Sequence, residues 1–284
     1  MRTRFFGAVM ALLLLPMLAA NSAFAANVTP TFAGAPIGWV TDRYQPPGFA
    51  DAGYMHGADH VLQISIDPST SAANRPVAFA STFYDTQGMK TALSGGPGDT
   101  VSASVWIPSS WMDVQNGIRR TDMWAVVNCP ACGSDPHDYP IIGFTNEGGA
   151  GRFRVWDSIG GVWIDLGDAV ITNDWNTLSI TELLGGPPTF QYGVNGNSNA
   201  ATLAGDPSDT GFSDLIMQAK NFGELGDLGT YQALWATQVP EPWSIATLFV
   251  GLSALACIAQ TRRRGGKNDG GGAANDNEGM TAAA

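Results

Sequence analysis

Basic residues are scarce in this chain of 284 residues. It has 14 Lys and Arg against 25 Asp and Glu, which gives a formal net charge of −11. Between residues 27 and 239 the net charge is −13, from eight basic and 21 acidic residues. Because nucleic-acid binding depends on Lys and Arg that neutralise phosphates, this composition excludes nucleic acid as a partner. The acidic surface favours solubility through self-repulsion, with the binding of divalent cations as the alternative.

Sequence motifs of several enzyme classes are absent. No Gly-x-Ser-x-Gly elbow of a serine hydrolase occurs. The glycine-rich stretch Gly95-Gly96-Pro97-Gly98 lacks the following Lys that a phosphate-binding loop needs. Glycoside hydrolysis needs two carboxyl groups that flank the bond, and the nearest pair, Asp165 and Asp168, lies where a predicted hairpin ends. The sequence therefore predicts a protein that is not an enzyme, without catalytic residues; a hydrolase acting on polysaccharide is the weaker alternative.

Cysteine is also rare, with three in the whole chain. Cys129 and Cys132 form a Cys-x-x-Cys pair, and an oxidising compartment would favour a disulfide bond between them. Closing so short a loop removes little chain entropy, so the predicted gain in stability is small. Half of a zinc site, with His137 as a third ligand, and a redox-active pair are the alternatives. No role is predicted for Cys257.

Long apolar runs are confined to the two ends of the chain. Near the C-terminus, residues 243–260 are uncharged and follow Val239-Pro240-Glu241-Pro242, and Arg262-Arg263-Arg264 comes directly after them. A bilayer-spanning helix needs about 17 to 25 mostly apolar residues, so this run predicts a single short transmembrane helix. The arginines should stay on the cytoplasmic side, which places the preceding residues outside.

The order of Pro-Glu-Pro, apolar span and arginine cluster resembles the PEP-CTERM sorting signal of Gram-negative bacteria. The resemblance covers residues 239–264 and implies export, retention by the C-terminal helix and processing by the membrane enzyme exosortase. It also implies an association with extracellular polysaccharide and the biofilm matrix. An ordinary membrane anchor is the alternative. Residues 265–284 depart from the pattern, and their Gly-, Asn- and Ala-rich composition predicts a disordered tail.

The N-terminus is typical of a secretory signal peptide. Arg2 and Arg4 precede the apolar residues 8–20, and Ala23-Phe24-Ala25 is a small-x-small cleavage site. An uncleaved anchor is the alternative, but the apolar run is short for one. The predicted organisation is a signal peptide over residues 1–25, an ectodomain over 26–238, the sorting signal with its helix over 239–264, and the tail over 265–284. The protein is then anchored in the inner membrane with a periplasmic ectodomain, and is afterwards sorted to the cell surface or matrix.

The sequence of the ectodomain predicts an all-β domain. Turn-forming residues recur about every ten positions, and short runs alternate between apolar and polar residues, which indicates half-buried strands. The clearest runs are residues 62–66, 101–107, 153–157, 162–166, 175–180 and 190–194. Residues 77–84, 123–127 and 231–235 are further strand candidates, residues 212–220 are a strand or a short helix, and residues 109–115 are a helical turn.

The strand order of the ectodomain resembles that of concanavalin A-like lectin and laminin-G-like domains. A hairpin across Gly160-Gly161 is followed by a Trp-x-x-Leu strand at Trp175 and by a strand that ends in Asn195-Gly196. The resemblance covers residues 101–235 and implies a jelly-roll sandwich of two antiparallel sheets in which the first and last strands pair. An immunoglobulin-like sandwich is the alternative. Hydrolases of the concanavalin A-like fold use a Glu-x-Asp-x-x-Glu strand, which this sequence does not contain.

Metal sites are weakly indicated. His56 and His60 are four residues apart, but the glycines around them argue against the helix on which that spacing would bind a metal. The Asp pairs 135/138, 165/168 and 206/209 lie in predicted loops, where calcium would find carboxylate ligands. The pairs lack the Asp-x-Asp-x-Asp-Gly spacing of an EF-hand loop, and Asp is also a common turn residue. No metal site is therefore assigned, and calcium is left open as a cofactor.

The positions of two tryptophan residues indicate the class of ligand. Trp106 and Trp163 alternate with apolar residues and so are expected on the outer faces of their sheets, where an indole ring can stack on a sugar. The alternative is that both faces are covered and both rings belong to the core. The predicted function is that of an exported, non-enzymatic protein that binds extracellular polysaccharide. A structural or adhesive matrix protein without a small ligand is the alternative.

Overall fold

The computed structural model describes residues 28, 31–71, 77, 85–130 and 138–237. The predicted signal peptide, the Pro-Glu-Pro motif, the apolar span, the arginine cluster and the tail all lie outside these residues. Within them, no helix is both long enough and apolar enough to cross a bilayer.

The described residues form fourteen strands in two antiparallel sheets. The strands are β1 (Val40–Thr41), β2 (Gly48–Asp51), β3 (Leu62–Ile66), β4 (Thr86–Ala92), β5 (Thr100–Ile107), β6 (Arg120–Val127), β7 (Ile141–Thr145), β8 (Arg152–Asp157), β9 (Val162–Asp165), β10 (Asp174–Glu182), β11 (Thr189–Val194), β12 (Asn197–Ala204), β13 (Phe212–Lys220) and β14 (Tyr231–Ala236). Sheet I has the order β1-β4-β13-β6-β7-β8-β9, and sheet II has the order β12-β11-β10-β5-β14-β3-β2. Short 3₁₀ turns at Ser109–Met112 and Val114–Asn116 occupy the region of the predicted helical turn.

The prediction of an all-β antiparallel sandwich is confirmed. In β3 the burial pattern alternates residue by residue, with Leu62, Ile64 and Ile66 buried, as the sequence alternation predicts. The hairpin across Gly160-Gly161 joins β8 to β9. Asn195 and Gly196 both have positive φ angles, 49° and 84°, and form the turn between β11 and β12. Two-residue hairpins favour this backbone conformation, and Asn-Gly adopts it readily.

Of the two alternatives predicted for Phe212–Lys220, the structure has the strand, β13, the third of seven in sheet I. The strands β1, β2, β4, β7 and β12 were not predicted. The strand candidate at 77–84 lies, apart from residue 77, outside the described residues. The predicted pairing of the first and last strands is found within residues 101–235, where β14 pairs with β5; β14 also pairs with β3.

The core lies between the two sheets and is built from the inward residues of both. Two smaller apolar clusters lie apart from it. One contains Trp175 and Leu234 with Trp106 packed against them, on the outer surface of sheet II. The other contains Trp124, Ile141 and Ile216 with Trp156 and Trp163 packed against them, on the outer surface of sheet I. These outer clusters bury side chains on the faces that a simple sandwich would leave to solvent.

Candidate functional site: the outer face of sheet I

The outer face of sheet I carries an unusual set of buried polar and aromatic side chains. All eight residues of β6 are buried, so this strand is covered on both of its faces. Thr121, Met123 and Ala125 point into the core, which leaves Arg120, Asp122 and Trp124 on the outer side. We call this surface the β6 face. Its side chains are Arg120, Asp122, Trp124, Arg154, Trp156, Trp163, Gln218 and Lys220.

Strand register places these side chains in two neighbouring rows across the sheet. In one row, Asp122 pairs with Gly143, Gly143 with Arg154, and Arg154 with Asp165. In the next row, Trp124 pairs with Ile141, and Ile141 is followed by the cross-strand neighbours Trp156 and Trp163. A polar row therefore runs beside an aromatic row from the centre of the sheet to its edge.

The aromatic row ends in a tryptophan pair. The ring centres of Trp156 and Trp163 are 5.2 Å apart, and the planes are tilted by 55°. Both residues are half-buried, Trp156 on β8 and Trp163 on the edge strand β9. Such a pair offers a broad, rigid apolar surface of the kind that stacks against the apolar face of a sugar ring.

The polar row is organised by ion pairs. Arg120 donates from Nε to Oδ2 of Asp122 over 2.7 Å, and Gln218 donates to the same oxygen over 3.3 Å. Lys220 donates to Oε1 of Glu147 over 3.1 Å. Burial raises the pKa of Glu147, but Lys220 and Arg154 outweigh it, so that the net pKa is lowered. Glu147 is therefore an anion that orients cations and not a reserve of protons.

Arg154 is the least compensated cation of the face. Its side chain is 7% exposed, and its nearest carboxylate oxygen, Oε2 of Glu147, is 3.6 Å from Nη2. Burial, and then the neighbouring Arg120, lower the pKa of Arg154 to about 10. The group stays charged at neutral pH, and its burial destabilises the folded state because burying an ion without a close partner is unfavourable.

Several buried polar atoms on the β6 face lack hydrogen-bond partners within the described part of the chain. They are Nε and Nη2 of Arg154, Oδ1 of Asp122 and Nε1 of Trp124. Buried polar atoms are rarely left unpaired, because each such atom costs about 1–3 kcal/mol. All of them belong to side chains of the polar row and the aromatic row, and they lie beneath the surface of the face.

Gly143 makes room for the central carboxylate. A Cβ atom at this position would lie 2.3 Å from Oδ1 of Asp122 and 2.3 Å from the carbonyl oxygen of Thr121. The carboxylate of Asp122 thus lies across the bare backbone of β7. A residue with any side chain at position 143 would displace it.

The two tryptophans predicted to stack sugars lie on opposite sides of the sandwich. Trp163 belongs to the β6 face, whereas Trp106 lies on the outer face of sheet II. The ring of Trp106 stacks on His56 with centres 3.9 Å apart, and it meets the edge of Trp175 at 5.6 Å. A cavity of about 410 Å³ borders Trp106, His56 and Gln232. Sugar stacking by either ring remains a prediction.

The other predicted site residues are dispersed. Cys129 is buried and forms a disulfide bond, while Cys132, its predicted partner, lies outside the described residues. His60 contacts Asp51, with 2.9 Å between Nδ1 and Oδ2, and His56 contacts Trp106. No group of three or more His, Cys, Asp or Glu residues is placed to hold a metal ion among the residues described. The sorting residues Val239, Pro240, Glu241, Pro242, Arg262, Arg263 and Arg264 lie beyond that part of the chain.

One predicted Asp pair does come together. The backbone N–H of Asp206 donates to Oδ2 of Asp209 over 2.9 Å and to Oδ2 of Asp138 over 3.2 Å. Burial and the neighbouring Asp138 raise the pKa of Asp209 to about 7. This turn therefore contains a carboxyl group that retains its proton well above the usual range.

Comparisons with known proteins give weak structural likenesses. No protein-family model matches the chain, and no curated protein matches it. Among solved structures, a β-1,3-glucanase from Mycobacterium marinum is similar at 13% identity and a TM-score of 0.36, over 75% of this chain and 94% of that one. A family 16 glycosyl hydrolase protein from Mycobacterium smegmatis is similar at 11% identity and a TM-score of 0.34, over 75% of this chain and 95% of that one. An endo-β-1,4-glucuronan lyase from Trichoderma reesei is similar at 10% identity and a TM-score of 0.39, over 70% and 84%.

These neighbours contradict the prediction that the protein is not an enzyme, and we withdraw it. They are enzymes that cleave polysaccharides, and one of them is a lyase. The prediction depended on the absence of the Glu-x-Asp-x-x-Glu strand, which concerns only one arrangement of catalytic groups. Identities of 10–13% transfer no residue role to this chain.

The sequence reasoning missed Arg120, Asp122, Arg154 and Lys220. These residues are far apart along the chain, and the order β13-β6-β7-β8 brings them together. One signal was present: Arg152 and Arg154 alternate with core residues in a predicted strand, in a domain that has only eight basic residues. Two arginines on the outer side of one strand of an acidic protein are a specific feature.

Proposed function

We propose that this is an exported protein whose β6 face binds polysaccharide. The observation that carries the proposal is the half-buried pair Trp156 and Trp163 on the face where the basic residues of an acidic protein gather. Sugar rings present both an apolar face and a fringe of hydroxyl groups. The aromatic row suits the first, and the polar row suits the second.

The chemistry of the face fits a polyhydroxylated chain. Arg152 and Lys220, whose side chains are 27% and 15% exposed, can donate hydrogen bonds to hydroxyl or ring oxygens, whereas Asp122 is fully buried and orients Arg120. The two rows are adjacent across the sheet, so one sugar can contact both. Because the face extends over several strands, it has room for consecutive sugar units.

Export is supported by the two ends of the sequence. The N-terminal residues have the order of a signal peptide, and residues 239–264 resemble the PEP-CTERM sorting signal. Exosortase would then process the C-terminal segment, and the protein would meet polysaccharide at the cell surface or in the matrix. Polysaccharide is also the class of substrate of the glucanases and the lyase described above.

The test is affinity electrophoresis of the purified full chain through gels that contain neutral or acidic polysaccharides. The proposal expects retardation by at least one polysaccharide, and weaker retardation when Trp163 is replaced by Ala. The same mixtures are assayed for new reducing ends and for the unsaturated sugars that a lyase produces, so that cleavage is detected if it accompanies binding. Normal mobility with every polysaccharide would contradict the proposal.

A further inference from the structure

The basic residues of this acidic protein are concentrated on one surface. Within the described part of the chain, six of the seven Lys and Arg residues between positions 27 and 239 lie on or beside the β6 face. They are Arg43, Lys90, Arg120, Arg152, Arg154 and Lys220. The seventh, Arg119, is bound instead to Asp227 at 3.1 Å. Cations of a protein with net charge −11 therefore gather where the unpartnered atoms are.

Most of these cations have a close carboxylate, and Arg154 does not. Arg120 lies 2.7 Å from Asp122, and Arg152 lies 2.7 Å from Asp165. Lys220 lies 3.1 Å from Glu147, the carboxylate that Arg154 only approaches at 3.6 Å. Two cations share Glu147, and Asp122, the other carboxylate that acts on Arg154, is already paired with Arg120.

The guanidinium of Arg154 is also fixed in position. Its central carbon lies 4.1 Å from the centre of the Trp163 ring, and the guanidinium carbon of Arg120 lies 4.6 Å from the same centre. Cation–π contact and burial hold the planar group still, which lowers the entropy lost when it binds a ligand. Its Nε and Nη2 atoms are covered by the protein, so a carboxylate would meet the guanidinium through the 7% of the side chain that stays exposed.

We propose that the β6 face recognises polysaccharides whose sugars carry carboxylate groups, and that Arg154 is the residue that selects them. The carboxylate pairs with the exposed part of the Arg154 guanidinium, while the sugar ring that bears it packs on the exposed part of the Trp156 and Trp163 pair. This inference rests on the proposed function, and it adds the charge of the ligand. A neutral glucan leaves Arg154 uncompensated and binds more weakly.

The experiment compares two forms of one polymer. The full chain is titrated calorimetrically with polygalacturonate and with the same polymer after complete methyl esterification, which removes the charge and keeps the backbone. The expected result is that polygalacturonate binds roughly tenfold or more tightly than the ester. Its affinity should fall as salt is raised from low to physiological concentration, because part of the attraction is screened.

Variants identify the residue. Arg154→Gln should weaken binding to polygalacturonate roughly 10- to 100-fold, and should leave binding to the ester within about twofold. Arg154→Lys keeps the charge without the planar guanidinium, and should lie between the two. Gln191→Glu, on the outer face of sheet II, makes the same change in net charge and is the matched control, with affinity expected to stay within about twofold. Thermal unfolding of each variant shows whether a loss of binding reflects a loss of folding.

The outcomes separate the inference from the function on which it rests. If the ester binds as tightly as polygalacturonate, carboxylate recognition is wrong and polysaccharide binding stands. If dextran sulfate competes as well as polygalacturonate, the face binds anions in general and selection of carboxylates is wrong. If polygalacturonate, its ester and a panel of neutral glucans all fail to bind the folded chain, both proposals fall. If Arg154→Gln fails to fold, the Arg154→Lys variant decides: unchanged affinity for polygalacturonate overturns the role of Arg154.

Discussion

The guanidinium carbon of Arg154 lies 4.1 Å from the centre of the Trp163 ring, although these residues belong to different strands of sheet I. The pairing joins the polar row of the β6 face to its aromatic row. The guanidinium carbon of Arg120 lies 4.6 Å from the centre of the same ring, so Trp163 contacts two cations. Changes at Trp163 should therefore affect both apolar and electrostatic contacts with a ligand.

Trp163→Ala is expected to reduce affinity for polysaccharide more than Trp163→Phe. Burying apolar surface contributes about 25 cal/mol per Å², so losing the ring on which a sugar packs is expected to lower affinity roughly 2- to 10-fold. A phenyl ring keeps part of the stacking surface and of the cation–π contact. Calorimetric titration of the full chain with the polysaccharide that it binds best measures both variants.

Trp106→Ala is the matched control for that prediction. Its ring packs on His56 and Trp175, on the other sheet, so its removal should lower the free energy of unfolding and leave the affinity of the β6 face unchanged. A loss of affinity without a loss of stability would instead place a second sugar site beside Trp106. That outcome would show that the β6 face is not the sole binding surface.

Gly143→Ala should destabilise the protein by about 1–3 kcal/mol, the usual cost of overpacking a buried site. The added Cβ would lie 2.3 Å from both Oδ1 of Asp122 and the carbonyl oxygen of Thr121, and backbone of a central strand cannot move away easily. Urea unfolding followed by tryptophan fluorescence measures the change. Gly167→Ala is the control, because a Cβ there meets no atom within 4 Å and should change the stability by less than about 1 kcal/mol.

How far the sequence predicts this fold depends on what covers each strand. Strands β3 and β5 have one face in the core and one less covered, so their residues alternate, and the sequence predicts them. All five residues of β7 are buried, because Trp124 and its neighbours cover the face that would otherwise meet solvent. Alternation is lost there, and the strand is missed. Strand β12 is missed for the opposite reason, since its first residues are exposed and polar.

The candidate site is harder to predict than the fold. Trp163 was predicted on an outer face from its own strand, because local alternation is sufficient for that. Its partners Arg120 and Arg154 depend on the order in which β6, β7 and β8 pair, and one strand pattern does not contain that order. These residues meet only because of the order in which the strands pair, and the proposed binding of polysaccharide depends on that order.

Export makes a prediction about the C-terminal segment. The full chain should fractionate with membranes, and a chain that ends at residue 238 should be released, because the predicted helix is its only proposed anchor. Replacing Pro240, Glu241 and Pro242 by Ala should keep the anchor and abolish processing by exosortase. Immunoblots of membrane and culture fractions measure both effects. An unprocessed wild-type chain in a strain that contains exosortase would contradict the sorting prediction and leave an ordinary anchor.

Asp209 should make stability fall as pH rises. Burial and Asp138 raise its pKa to about 7 in the folded protein, whereas an unfolded Asp titrates near pH 3.9. Between about pH 4 and pH 7 the folded state therefore holds a proton that the unfolded state releases, so the free energy of unfolding decreases with pH across this window. The contribution is fully present below the lower pKa and is lost above pH 7. Urea midpoints at pH 5 and pH 8 measure it.

Asp209→Asn isolates this contribution, because an amide does not titrate. Relative to wild type, the variant should gain stability on going from pH 5 to pH 8, since only the wild-type residue must ionise beside Asp138. Asp59→Asn, in an exposed turn, makes the same chemical change without a buried neighbour and corrects for the loss of one negative charge. If Asp209→Asn and Asp59→Asn shift the pH dependence equally, the pKa of Asp209 is not raised in the folded protein.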